Sequence, residues 1–205
     1  MNFFWELIFD TLFPRKCLLC GQQKVSLCAL CLKKLPRSDE NNPGYISLLS
    51  YKDKNTRHVL HALKYKGDKK VYDALHDIYL SLLKEKSDSD LQRYIITSIP
   101  MRTTAKRTRR VDHVSYIAKK IGESLEIPYE KILFWRHDSG SQVKKSTRKK
   151  RMLEMKGALC ATSTALGKKV IVIDDIATTG ATLTEAKRAL KNAGAKKVCL
   201  AVVAH

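Results

Sequence analysis

Two hydrophobic periods alternate along this chain. Val59, Leu60 and Leu63 share one face of a helix predicted over 56–65, and Val71, Leu75, Ile78 and Leu82 align on a second over 71–83. A third helix is marked by Val114, Ile117, Ala118, Ile121 and Leu125. A fourth follows at Leu183, Ala186, Leu190 and Ala193, closed by Gly194. Between the helices stand short apolar runs at 45–51, 94–99 (stopped by Pro100), 132–135, 158–161, 169–174 and 197–203, each read as a strand. The run at 169–174 is almost unbroken Val and Ile, as a strand covered on both faces requires. Strand, helix and strand in turn with short connections make a parallel α/β sheet, which places ligands outside the carboxyl ends of its strands. A turn at 65–68, polar breaks at 35–44 and 86–90, and a long basic loop over 136–156 separate the elements.

The opening stretch MNFFWELIFDTLF is apolar but contains Glu6 and Asp10. It is short of the roughly 20 apolar residues that span a bilayer. It also lacks the positive leader and small-residue cleavage site of a secretory signal. A short amphipathic helix packed on the protein or a partner is expected, with no integral membrane contact and a cytoplasmic location.

Four of the six cysteines form the pairs Cys17-Leu-Leu-Cys20 and Cys28-Ala-Leu-Cys31. A two-residue gap lets both thiolates of a tight turn point at one tetrahedral cation, and Gly21 supplies a permissive backbone. Two such knuckles can close a four-sulfur shell, which leaves no open coordination position and therefore suits structural zinc. The segment is too small to bury a core, so metal would supply its folding free energy. Disulfides are disfavoured by a reducing compartment. Two tandem redox pairs would want a surrounding strand–helix pattern. The chain accordingly divides into an N-terminal helix and zinc module at 1–40 and an α/β domain at 45–205. Cys160 and Cys199 lie in apolar runs and read as buried core.

Charge changes the picture. The formal net charge is +19, and the surplus is clustered. One cluster is Arg102, Lys106, Arg107, Arg109 and Arg110; the other is Lys144, Lys145, Arg148, Lys149, Lys150, Arg151 and Lys156 against Glu154 alone. Such a field attracts polyanions such as nucleic acid, phosphorylated metabolites or anionic lipid. The plainer reading is a solvated basic surface.

The most specific stretch is IVIDDIATTGAT at 171–182. The buried strand ends in Asp174 and Asp175. Ile176, Ala177, Thr178, Thr179 and Gly180 make a turn, Ala181 follows, and Thr182 opens a helix. Backbone N–H groups at a helix start carry partial positive charge and point outward, which suits a phosphate. Gly180 permits close approach, and the threonine hydroxyls can donate to phosphate oxygens. Two adjacent carboxylates at a strand end offer acceptors to a vicinal diol such as ribose O2 and O3. Neither the dinucleotide fingerprint G-x-G-x-x-G nor the P-loop ending Gly-Lys-Ser/Thr describes this stretch. A threonine-capped turn with two surface acids is the plain alternative.

This motif resembles the 5-phosphoribosyl-1-pyrophosphate (PRPP) motif of type I phosphoribosyltransferases. With the four-cysteine module, the whole chain is similar to the late-competence ComF family, a phosphoribosyltransferase-like group. The likeness extends through Leu63-Lys64-Tyr65-Lys66-Gly67, Ile99-Pro100 with Arg102, 133–136, Gln142, Arg151 and Gly157-Ala158. It implies a type I phosphoribosyltransferase-like domain behind a small zinc module. Asp174 and Asp175 would meet the ribose hydroxyls, and the turn from Ile176 and Ala177 to Thr182 would hold the 5-phosphate. The 100–102 turn would be the pyrophosphate loop, and 136–156 a mobile basic lid. Magnesium is the expected counter-ion of pyrophosphate, held mostly by ligand and waters. Where the family has Arg-Gly-Phe-Asn-Gln, this chain has Arg110-Val111-Asp112-His113, and an Asn expected near the lid's end stands as Glu154. Acceptor-base recognition is therefore not carried over.

Three functions are compatible with these residues. The first is a transferase, with Arg102 and lid bases neutralising leaving pyrophosphate while the carboxylates orient the ribose. The second is a DNA-uptake factor in natural transformation. There Arg107, Arg109, Arg110, Lys144, Lys145, Arg148, Lys149 and Arg151 would track single-stranded DNA, and Tyr116 or Trp135, otherwise core residues, could stack bases. The third is an adaptor docking a helicase or recombination partner through its cysteine knuckles and first helix. His58 and His61 stand one helical turn apart, which reads as a solvated or packed pair. His113, His137 and His205 show no partner in sequence.

Overall fold

Four strands pair in parallel in the order Ile46–Leu49 (β1), Lys197–Ala204 (β6), Lys169–Ile176 (β5) and Tyr94–Ser98 (β2), and a separate antiparallel hairpin joins Leu133–Trp135 (β3) to Leu159–Ala161 (β4). In chain order the elements are α1 (Ala29–Lys34), β1 (Ile46–Leu49), α2 (Lys54–Lys66), α3 (Lys69–Lys86), β2 (Tyr94–Ser98), α4 (His113–Leu125), β3 (Leu133–Trp135), α5 (Arg148–Met155), β4 (Leu159–Ala161), β5 (Lys169–Ile176), α6 (Ala181–Asn192) and β6 (Lys197–Ala204). This computed structural model describes residues 15–38, 44–66, 69–86, 93–102, 112–136 and 148–205. The expected first helix and parts of the polar breaks, of the 65–68 turn and of the basic segments lie outside them.

Strand alternation builds a core on each face of the sheet. Ile171 and Ile173 of β5 join Tyr94 and Ile96 of β2 and Ala201 and Val203 of β6 beneath α2, α3 and α4. Val170 and Val172 join Ile95, Leu200 and Val202 beneath α6 and the hairpin. All four residues from 170 to 173 are fully buried, each contributing about 1.5–3 kcal/mol. That double coverage is why the run is apolar at every position.

Register then opens the site. β2 ends with Ser98 opposite Ile173, whereas β5 continues beside β6 as far as Ile176 opposite Ala204. Asp174 and Asp175 therefore project past the end of one neighbouring strand, above the chain that leaves β2.

The cysteine segment is tied to this architecture. Cys17, Leu27, Cys28 and Leu35 join the apolar cluster of α2, α3 and α4, and α1 lies against α3.

Several expectations need correction. The helices predicted over 56–65 and 71–83 extend to Lys54–Lys66 and Lys69–Lys86, so Tyr65 and Lys66 of the expected turn are helical. The basic segment expected as a loop over 136–156 contains helix α5, which packs against α6. Strand β5 runs on through both aspartates instead of stopping at the first. Cys160 and Cys199 are half-buried, not core. Cys160 lies on the hairpin beside Arg136, whose Nε donates to its Sγ at 3.4 Å. Cys199 lies near the start of β6, its Sγ 3.9 Å from the Tyr94 hydroxyl. No helix among the described residues is long and apolar enough to cross a membrane.

Candidate functional site

Strand β5 delivers two half-buried carboxylates to one opening. Asp174 Oδ1 accepts the N–H of Asp175 at 2.8 Å, and Asp175 Oδ1 accepts the N–H of Ile176 at 2.7 Å. Each aspartate is thus steered by the backbone immediately after it. Their charge is felt below, where the hydroxyl of Tyr79 on α3 is fully buried without a hydrogen-bond partner among the described residues. Burial first, and then Asp174 and Asp175, hold that phenol well above its ordinary pKa, so it stays neutral.

The turn after β5 is fixed from behind. The Ala177 N–H donates to Ala204 O at 2.9 Å, and the Ala177 carbonyl lies 2.7 Å from Nδ1 of His205. Tyr45 Oη stands 2.6 Å from the same nitrogen. Gly180 takes φ +73°, a left-handed conformation that favours glycine, and caps α6 without a side-chain hydrogen bond. Helix α6 begins at Ala181, one residue before the predicted opening at Thr182. Thr179 Oγ1 receives the N–H of Ala181 at 3.4 Å. Thr178 is exposed, and Thr179 and Thr182 are half-buried. First-turn amides of a helix point out along its axis, here toward this turn.

The opposite wall comes from the chain leaving β2. A cavity of about 330 Å³ is lined by Pro100, Arg102, Asp112, Trp135, Asp174, Asp175 and Thr182, among others. Trp135 Nε1 donates to Pro100 O at 2.7 Å. The Arg102 guanidinium lies 4.0 Å from the centre of the Trp135 ring, and its Nη2 donates to Met155 Sδ at 3.5 Å. The structure therefore brings Arg102, Asp174, Asp175, Ile176 and Thr182 together around one cavity, and connects them through Arg102 to the end of α5. Ala177, Thr178, Thr179, Gly180 and Ala181 lie in the turn between, outside the cavity lining.

One residue at this site has no signal of its own in the sequence. His113 is the first residue of α4, 1 % exposed, and its Nε2 stands 3.2 Å from Asp175 Oδ2. The ring stacks on Tyr72 with centroids 5.8 Å apart. Asp112 caps the helix, receiving the N–H of Ser115 at 3.1 Å and its hydroxyl at 2.7 Å. An N-capping Asp before an apolar-periodic helix is legible, but what it aims is not. The Ser98 hydroxyl, bonded to those of Ser115 and Tyr129 at 3.0 and 2.9 Å, locks α4 to the end of β2.

The four cysteines converge as their spacing predicts, with the Sγ atoms of Cys17, Cys20, Cys28 and Cys31 all within 4.8 Å of one another. Tetrahedral zinc with bonds of about 2.3 Å sets sulfurs roughly 3.8 Å apart, and Cys20 and Cys28 stand at 3.7 Å. The Cys28 N–H donates to Cys17 Sγ, and that of Cys31 to Cys28 Sγ, both at 3.4 Å. Burial alone would raise the Cys17 thiol, but the N–H groups of Cys28, Leu19 and Cys20 bring it to about 6. Burial and the neighbouring sulfurs push Cys31 up to about 12. The cluster fits a metal site. Among the described residues, no other group of three or more His, Cys, Asp or Glu converges in this way; His58 and His61 are exposed on α2.

Of the proposed nucleic-acid contacts, Arg107, Arg109, Arg110, Lys144 and Lys145 lie outside the described residues, while Arg148, Lys149 and Arg151 ride on α5. Tyr116 and Trp135 are half-buried and packed against the two apolar clusters.

Residues 114–205 match the family model of the phosphoribosyl transferase domain. This phosphoribosyltransferase-like region runs from α4 through β6 and contains both carboxylates, the turn and α6. The fold is α/β with a parallel sheet like that of type I phosphoribosyltransferases, preceded by the four-cysteine cluster. Among solved structures, the chain is similar to a glutamine PRPP amidotransferase from B. subtilis complexed with ADP and GMP. The identity is 22 % and the TM-score 0.42, covering 65 % of this chain and 26 % of that one. A purine phosphoribosyltransferase from Pyrococcus horikoshii Ot3 shares 18 % identity at TM-score 0.40, covering 64 % and 71 % of the two chains. An adenine phosphoribosyltransferase from Leishmania donovani shares 12 % at TM-score 0.45, covering 81 % and 85 %. No curated protein matches the chain.

Proposed function

We propose that this chain is a ComF-type, competence-associated protein that binds PRPP and single-stranded DNA during DNA uptake. The observation that supports the PRPP reading is convergence on one cavity. Two carboxylates at a strand end, a glycine-capped helix start and a guanidinium face the same space of about 330 Å³. Asp174 and Asp175 accept the ribose hydroxyls, and the turn from Ile176 through Ala177, Thr178, Thr179, Gly180 and Ala181 to Thr182 receives the 5-phosphate. Arg102 faces the pyrophosphate. Magnesium supplies charge neutralisation of the pyrophosphate when bound. Zinc held by Cys17, Cys20, Cys28 and Cys31 is structural.

The DNA reading is supported by the net charge of +19 and by the basic residues of α5, whose far end touches Arg102. A polyanion on this surface displaces counterions, so its affinity falls steeply with salt.

A second reading is a working transferase on a nitrogenous acceptor, and it is favoured by the presence of Trp135, its ring covered on one face by Arg102, in the lining of the cavity. The C1–O bond to pyrophosphate would break with the electron pair leaving on oxygen. An N–C1 bond would form, and the attacking nitrogen would lose its proton. The protein would contribute positioning and a fixed electrostatic field.

Titration with PRPP and Mg²⁺, and separately with single-stranded DNA at two salt concentrations, tests these readings. We expect PRPP binding that is lost in the Asp174→Ala/Asp175→Ala double variant, and DNA binding that persists there with a steep salt slope. Base-dependent pyrophosphate release, abolished in that variant, would favour the transferase instead. DNA affinity indifferent to salt would remove the electrostatic argument.

A further inference from the structure

We infer that His113 is a positioning residue for Asp175, holding its carboxylate so that the site prefers a ribose over a 2-deoxyribose phosphate. The inference rests on the reading of Asp174 and Asp175 as acceptors for sugar hydroxyls, and it adds the residue that aims one of them.

The geometry restrains Asp175 from two directions. Its Oδ1 takes the N–H of Ile176 at 2.7 Å, while its Oδ2 faces Nε2 of His113 at 3.2 Å. One restraint belongs to β5 and the other to α4, so the plane of the carboxylate is set by the packing of two elements. A carboxylate oxygen only accepts, so Nε2 must carry the proton in this contact.

His113 is itself immobilised. It occupies the first position of a helix capped by Asp112, and its ring stacks on Tyr72 with an interplanar angle of 19°. Its side chain is 2 % exposed, whereas that of Asp175 is 16 % exposed. The imidazole thus cannot meet a ligand, and its influence passes through Asp175. Burying a polar ring is unfavourable unless its nitrogens find partners, and the partner here is a carboxylate that lines the cavity.

An acceptor held on both oxygens presents its remaining lone pairs in fixed directions. A hydroxyl that meets them gains a hydrogen bond without first ordering the side chain, and a sugar lacking that hydroxyl gains nothing. Preference between the two sugars therefore reports on orientation, separately from affinity for the phosphate, which the 177–182 turn provides.

The test is isothermal titration of the full-length protein with ribose 5-phosphate and with 2-deoxyribose 5-phosphate, in Mg²⁺. The wild type is expected to favour ribose 5-phosphate. In His113→Ala that ratio falls about tenfold, the scale of one oriented hydrogen bond, while in His113→Gln, which keeps an N–H donor, it largely recovers. A purely structural histidine would weaken both sugars in proportion, and an unchanged ratio in a folded His113→Ala protein overturns the inference. Nitrogen-15 spectra of the imidazole give a ligand-independent arm, expected to show a protonated Nε2 in the wild type and a changed signal in Asp175→Asn. An unprotonated Nε2, or a signal indifferent to that substitution, also overturns it. If neither sugar binds the wild type while the spectra behave as expected, the contact stands and the ligand reading is what fails.

Discussion

Nδ1 of His205 lies 2.7 Å from the carbonyl oxygen of Ala177, a residue of the turn between β5 and α6. A carbonyl only accepts, so Nδ1 carries the proton. The Tyr45 oxygen, 2.6 Å from the same nitrogen, then serves as a second acceptor. The backbone of His205 is bonded to Leu49, the last residue of β1, and to Tyr51 just beyond it, so the imidazole ties the turn to the sheet. His205→Ala should weaken PRPP binding about three- to tenfold through a loosened turn. His205→Asn, which retains a donor, should lose less. Titration calorimetry on the two variants checks this, and equal losses would argue against a hydrogen-bonded tie.

Gly180 makes a prediction about backbone rather than space. A Cβ added there would sit 3.5 Å from Tyr45 Cε1, an ordinary contact, but φ is +73°. Gly180→Ala should therefore cost about 1–2 kcal/mol of stability through the left-handed conformation, unrelieved by trimming the neighbour in Tyr45→Ala. Thermal melts of the single and double variants separate the two causes. Restoration of stability in the double variant would mean that contact, not φ, was the penalty.

These relationships show what sequence reading can reach. The run from Val170 to Ile173 was legible because each residue is buried on its own face, so composition alone marks the strand. The convergence of Cys17, Cys20, Cys28 and Cys31 was legible because local spacing constrains the sulfurs. Helix α5 was not, since Arg148–Met155 is dominated by basic residues and leaves Met152 and Leu153 exposed, which blurs any apolar stripe. His113 was not because its partner lies 62 residues away, and only the packing of α4 on β5 brings them together. Cys160 and Cys199 have apolar neighbours in sequence, but one lies in the middle of a three-residue hairpin strand and the other near the start of β6, and both are half-buried.

The cysteine cluster predicts linked unfolding. Cys17 and Cys28 belong to the same apolar cluster as Leu60, Leu75 and Ile121, so releasing the knuckles also uncovers part of the main core. Removing metal with a chelator, or substituting Cys17→Ser, should lower the melting temperature of the whole protein as well as releasing about one equivalent of metal. Far-ultraviolet circular dichroism during chelation follows the first effect, and a zinc-sensitive dye follows the second. Metal release with an unchanged sheet transition would show the knuckles to be an energetically separate appendage.

Glu185 supplies the pH dependence. It is 4 % exposed on α6 and accepts from Arg188 at 2.6 and 2.8 Å and from the N–H of Leu159 at 3.4 Å, joining α6 to the hairpin. Burial alone would raise its pKa, but Arg188 and the N–H groups of Leu159 and Gly157 outweigh it and hold the carboxyl below its usual value. A carboxyl depressed in the folded state stabilises fully above its unfolded pKa of about 4.3. That contribution is lost as pH falls through the lower folded value. The wild type should accordingly lose stability on acidification below about pH 4.3, and Glu185→Gln should flatten that part of the curve. At neutral pH the same substitution should cost about 1–3 kcal/mol, moderated because Arg188 is partly solvated. Urea unfolding from pH 3 to 7 on both proteins measures the difference, and parallel curves would mean that Glu185 does not carry the acid response.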